Sequence, residues 1–132
     1  MTQRNIDVMD IIVSKMVEGK SLSKALKLVY SNRKVIIPYN EEDFKASLME
    51  LGMTSRATNP LLRAGLRTIG DVVDFCNTQK ITTIANLGKH SGIEVFETIL
   101  DYCWDHMSQK ERVSFLVDTV ERNGEHIRAE IA

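Results

Sequence analysis

A chain of 132 residues, 43% hydrophobic and 27% charged with a net charge of −1, can form one compact domain, or a small domain with an extension, and is too apolar to stay disordered. Its apolar runs are far shorter than the roughly 20 residues a membrane helix needs, and the opening MTQRNIDVMD carries charge where a secretory leader needs an apolar run. A cytoplasmic protein with no membrane partner is expected.

The pattern is helical nearly throughout. From Asn5 to Glu18, the residues Ile6, Met9, Val13, Met16 and Val17 recur at helical steps as one apolar stripe, and Gly19 ends the helix. Ser21 is placed to cap a second helix that turns Leu22, Ala25, Leu26 and Val29 inward. RKVIIPY breaks the period around a proline and reads as extended. EEDFKASLMEL returns to a short amphipathic helix through Phe44, Leu48 and Leu51. Beyond Gly52, Thr68 and Asp71 have capping-box spacing ahead of Ile69, Val72, Val73 and Phe75. TQKITTIAN supplies another short helix. Ser91 with Glu94 repeats the box for a helix that runs to about Met107 and buries Ile93, Phe96, Ile99, Leu100 and Cys103. Ser108 with Glu111 repeats it once more, ahead of Val113, Phe115, Leu116, Val117 and Val120. Trp104 is expected to pack under this last helix, and NGEHIRAEIA to fray. The fold class is all-α: a compact bundle of short helices over residues 41–107, with a helical N-terminal extension over 1–40 and a C-terminal helix and tail over 108–132.

Charge is unevenly spread. Residues 54–90 carry five Lys/Arg against two Asp/Glu, whereas residues 91–132 carry four against nine. The basic segment ends in ITTIANLGKHSG, which fits a helix-hairpin-helix. Ile81 and Ile84 face inward, Leu87 anchors the loop, and Gly88 lets a phosphate approach the backbone. The N–H groups around Lys89, His90 and Ser91 then point at the anion, because a helix N-terminus carries unpaired donors and partial positive charge. A second glycine would complete the motif where Asn86 stands, and asparagine tolerates the left-handed conformation better than most residues. Arg63 and Arg67 can line the same basic face. EGKSLSKALKLVYSNRKVI offers a weaker alternative, a helix-turn-helix whose recognition helix opens at Ser31 to Lys34.

Enzyme readings find no support. There is no GxxxxGK[ST], G-x-S-x-G or HExxH, and the three histidines form no constellation with the acids. Cys103 and His106 are three apart, but no second ligand pair follows, so neither a metal nor another cofactor is expected. Cys76 and Cys103 form no CxxC pair and read as small buried hydrophobes. A non-enzyme is expected.

Residues 51–102 resemble the C-terminal domain of the bacterial RNA polymerase alpha subunit. The likeness is carried by LGMTSRATNPLLRAGLRTIGDVVDF and, at the right distance, IANLGKHSGIEVFETIL. Nothing resembles that subunit's large assembly domain, so the likeness is to a free-standing relative, of the kind a phage or other mobile element encodes. The resemblance implies a SAM-like helical bundle that binds double-stranded DNA in the A·T-rich minor groove and touches RNA polymerase partners such as sigma factor or a transcription regulator. It also implies site residues. Arg56 corresponds to the arginine that enters the minor groove, Asn59 to a polar contact, Gly88 to a backbone phosphate contact and Ser91 to a hydroxyl phosphate contact. Glu94 matches an acidic residue near that surface, Lys89 keeps a basic neighbour, and His90 replaces the family's usual lysine. Pro60 departs from the pattern. Either it sits inside a helix and removes the bond to the Arg56 carbonyl, or Asn59 caps a helix that Pro60 begins.

Two functional expectations follow. One is a DNA-binding, transcription-associated protein. The other is an interaction module that docks on polymerase, sigma factor or a regulator without binding DNA, favoured by Pro60, His90 and the acidic last third.

Overall fold

The computed structural model describes the backbone of residues 2–30 and 41–131, and the side chains of residues 2–26 and 41–122. Among the described residues seven α-helices follow in order: α1 (Gln3–Val17), α2 (Leu22–Tyr30), α3 (Glu41–Phe44), α4 (Ser55–Arg63), α5 (Ile69–Thr78), α6 (Lys89–Asp105) and α7 (Gln109–Ile131). Single 3-10 turns occur at Leu48–Glu50 and Ile81–Thr83. The fold is all-α. Among the described residues no helix is long and apolar enough to cross a membrane. The protein divides into two units, one formed by residues 1–38 and 104–132 and the other by residues 39–103.

In the first unit α1, α2 and α7 pack on one another. Thr2 caps α1 by accepting from the Asn5 N–H at 3.2 Å. Gly19, at φ +96°, closes α1 as expected, and the Gly19 and Lys20 N–H groups return to the carbonyls of Met16 and Lys15. The expected stripe on α1 is out of phase. Val8 and Ile12 are fully buried, while Ile6, Val13 and Val17 are 41%, 48% and 82% exposed. This helix carries apolar residues at two phases, and packing against α2 and α7 selects the one that contains Val8 and Ile12. Ser21 accepts from the Lys24 N–H at 3.5 Å, and Leu22, Ala25 and Leu26 are buried. The extended reading of RKVIIPY, the helix-turn-helix opening at Ser31 to Lys34 and the side chain of Val29 lie outside the described residues.

Ser108 and Glu111 form the expected reciprocal box at the start of α7. Ser108 N–H donates to Glu111 Oε1 at 3.0 Å, and Glu111 N–H donates to Ser108 Oγ at 3.2 Å. Phe115, Leu116 and Val120 are buried as expected, whereas Val113 is exposed and Val117 half-buried. Trp104 packs against Phe115, with ring centroids 6.1 Å apart. The Arg112 guanidinium lies 4.8 Å from the Trp104 ring, and Arg112 Nε donates to the Trp104 carbonyl at 3.1 Å. The backbone stays helical to Ile131, beyond the point where fraying is expected.

In the second unit the expected helix over residues 41–51 is broken in two. Ser47 accepts from the Met49 N–H at 3.2 Å, giving the backbone a local alternative to the helix. Its neighbours pair with the strand-like entry to α5, Leu48 N–H with the Arg67 carbonyl at 3.0 Å and Ile69 N–H with the Ala46 carbonyl at 3.1 Å. Leu48 is buried beneath this bridge, whereas Phe44 and Leu51 are half-buried. The box at α5 is present. Thr68 N–H and Asp71 N–H exchange bonds with the opposite side chains, both at 3.1 Å. Ile69 and Val72 are buried and Val73 and Phe75 half-buried. Gly70 is required by α3: a Cβ there would lie 3.1 Å from the Phe44 carbonyl oxygen and 3.2 Å from Phe44 Cβ. The core of this unit joins Leu48, Ala57, Leu61, Ile69, Val72, Ile84, Leu87, Val95, Ile99 and Leu100. Cys103 is buried and its thiol pKa is pushed up to about 12, first by that burial and then by the Asp43 charge. Cys76 departs from expectation and is exposed.

Candidate nucleic-acid interface

The helix α4 begins at Thr54, whose Oγ1 accepts from the Ala57 N–H at 3.3 Å. Pro60 therefore lies inside the helix, and Asn59 is not its cap. Lacking an N–H, Pro60 leaves the Arg56 carbonyl without its helical donor. The buried face of α4 consists of Ala57, Thr58, Pro60 and Leu61. Arg56 and Asn59, three residues apart, share the opposite, exposed face.

The second element is the turn into α6. The leading helix of the hairpin is shorter than TQKITTIAN predicts, a single 3-10 turn at Ile81–Thr83. Leu87 is 4% exposed and anchors the loop as expected, with its N–H donating to the Ile84 carbonyl at 3.1 Å. Asn86 adopts φ +67°, the left-handed conformation for which a glycine would otherwise be used. Gly92 N–H bonds to the Gly88 carbonyl at 2.9 Å, so the helix starts at Lys89. By helix geometry the N–H groups of Lys89, His90 and Ser91 precede the first intrahelical donor. No acidic residue lies in that first turn. Gly88, Lys89 and His90 are exposed.

Two expectations change here. Ser91 is not the cap of α6; it is the third residue of the helix, and its side chain is buried at 7% exposure. Glu94 does not complete a box with Ser91. Its carboxylate reaches across to α4, accepting from the Thr54 N–H at 2.7 Å and from the Thr54 hydroxyl at 2.8 Å. Helix α6 begins on backbone bonds alone, and Thr54, a cap at the start of another helix, has the stronger claim on the acid.

This clasp ties the start of α4 to helix α6, the two elements that carry the sequence-predicted residues. Thr54 is two residues from Arg56, and at about 1.5 Å per residue Gly88 lies about 9 Å along the α6 axis from Glu94. Arg56 and Asn59 come from one helix start, and Gly88, Lys89 and His90 from the other. Ser91 contributes its backbone N–H to the same turn, although the residue as a whole is buried. Thr54 is the residue that sequence reasoning missed. A threonine directly ahead of SRATN is an N-cap signal, but the acid it recruits is 40 residues away.

Residues 37–101 match the family described as the C-terminal domain of the bacterial RNA polymerase alpha chain. No curated protein and no solved structure matches this sequence. By sequence, this part of the protein resembles that C-terminal domain, a likeness that points to a transcription-associated domain that binds DNA or polymerase.

Proposed function

We propose that this protein is a DNA-binding, transcription-associated protein that sets Arg56 into an A·T-rich minor groove and rests the first turn of α6 on the adjoining phosphates. The observation that carries this reading is the Thr54–Glu94 clasp, which ties the helix bearing the exposed Arg56 to the helix whose first turn holds no acid. A narrow A·T-rich groove has enhanced negative potential and attracts arginine, while amides at a helix start suit phosphate oxygens. A Cβ on Gly88 would meet no atom within 4 Å, so the fold itself has no steric need for glycine there. Glycine is also a favoured residue at a helix start, and the open space around it leaves room for an outside group to approach the backbone. In this reading Asn59 and Lys89 flank the two contacts, His90 adds a donor, and Glu94 positions Thr54 without touching DNA.

The test is retardation of an A·T-rich duplex at low and moderate salt. Binding should weaken steeply with salt, and Arg56→Ala should weaken it about tenfold or more. Equal affinity of the two proteins would remove Arg56 from the contact set. A second reading, docking on polymerase, sigma factor or a regulator without DNA, draws on the acidic composition of residues 91–132. Retention by polymerase without retardation of any duplex would favour it.

A further inference from the structure

We propose that Arg63 is a further DNA contact, a phosphate clamp at the far end of the α4 face that presents Arg56. This inference rests on the DNA-binding reading and adds to it a residue outside the set implied by the family resemblance.

Arg56, Asn59 and Arg63 stand at positions i, i+3 and i+7 of one helix. They fall within about 60° of arc around its axis. All three are exposed, on the side away from the buried Ala57 and Leu61. Helix α4 stays helical through Pro60 to Arg63, so that register holds across the proline. The sequence of α4, SRATNPLLR, contains no acid, and among the described residues no carboxylate forms an ion pair with Arg56 or Arg63. This face therefore presents two guanidinium groups held in no ion pair, with a small amide between them, while the Glu94 carboxylate stays engaged with Thr54 at the start of the helix.

Their spacing suits a duplex. Seven residues at about 1.5 Å each put Arg63 about 10.5 Å beyond Arg56 along the helix axis. Three nucleotide steps at about 3.4 Å cover about 10 Å of one DNA strand. The minor groove is only about 6 Å wide and is bordered on each side by phosphates. With one guanidinium inside the groove, a second one two turns further on meets the bordering phosphates and not the groove floor. Arg56 then reads groove shape, while Arg63 contributes charge without sequence information. A purely structural role is also available to Arg63, since a cation in the last turn complements the helix dipole. The test has to separate the two.

Affinities of the full-length protein, Arg63→Gln, Arg63→Lys and Arg56→Ala for A·T-rich and G·C-rich duplexes of equal length are measured over a series of salt concentrations. Arg63→Gln should weaken binding to both duplexes by the same factor and flatten the slope of log affinity against log salt by about 0.9, the loss of one phosphate contact. Arg63→Lys should restore the slope, because a phosphate accepts either cation. The A·T preference should survive both Arg63 substitutions and fall in Arg56→Ala. A wild-type slope in Arg63→Gln, with duplex binding intact, overturns the clamp and leaves the DNA reading standing. A lowered thermal midpoint with an unchanged slope assigns Arg63 to the helix terminus and also overturns the clamp. Failure of the unsubstituted protein to bind either duplex overturns both.

Discussion

Glu94 holds Thr54 by two hydrogen bonds, one to the backbone N–H at 2.7 Å and one to the hydroxyl at 2.8 Å. The same hydroxyl accepts from the Ala57 N–H, so one threonine caps its own helix and ties it to another. This relationship ties the start of α4, which carries Arg56, to the second turn of α6, whose first turn follows Gly88.

The clasp should be measurable as stability and as coupling. Hydrogen bonds to a carboxylate are worth more than neutral ones, but this site is exposed, so Glu94→Ala should cost about 1–2 kcal/mol in urea unfolding. Thr54→Ala loses the cap as well, about 1 kcal/mol. The two losses should overlap, with a double-mutant coupling of about 0.5 kcal/mol or more, and Thr54→Ser should retain most of the stability. Strict additivity would show that the pair does not act as a unit.

Asn86 carries a second, local prediction. At φ +67° it occupies a region that costs other L-residues about 1–2 kcal/mol. Asn86→Ala should lose about that much in denaturant unfolding. Asn86→Gly should stay near neutral, because relief of the backbone is offset by the greater freedom of the unfolded state. An alanine variant as stable as the parent would mean that the hairpin loop does not hold this conformation.

Glu111 ties the start of α7 to pH. Its carboxyl pKa is lowered by the bond from the Ser108 backbone and then by the Ser108 hydroxyl. A folded pKa below the unfolded one gives stability that is present above the ordinary glutamate range and lost as the pH falls through the folded value. The melting midpoint of the protein should therefore fall on acidification below that range, and Glu111→Gln should flatten this part of the profile. The side chain is fully exposed, so the expected change is small. An unaltered acid limb in Glu111→Gln would remove the cap as its source.

The features legible in the residue order are those made between near neighbours. The boxes at Thr68–Asp71 and Ser108–Glu111 each join residues three apart, the left-handed turn needs only Asn86, and Leu87 follows it as the loop anchor. Helicity itself is equally clear, because the apolar period repeats in almost every segment. Packing resolves what local spacing leaves degenerate. Helix α1 has two apolar phases, and its neighbours bury the one with Val8 and Ile12. Ser91 and Glu94 have the same spacing as the true boxes, yet the acid bonds to Thr54, 40 residues away. A three-residue spacing states which bonds are possible; which of them forms depends on the donor that folding brings within hydrogen-bond reach. For Glu94 that donor is Thr54, the cap of α4, and the bond ties together the two helices that carry the candidate interface.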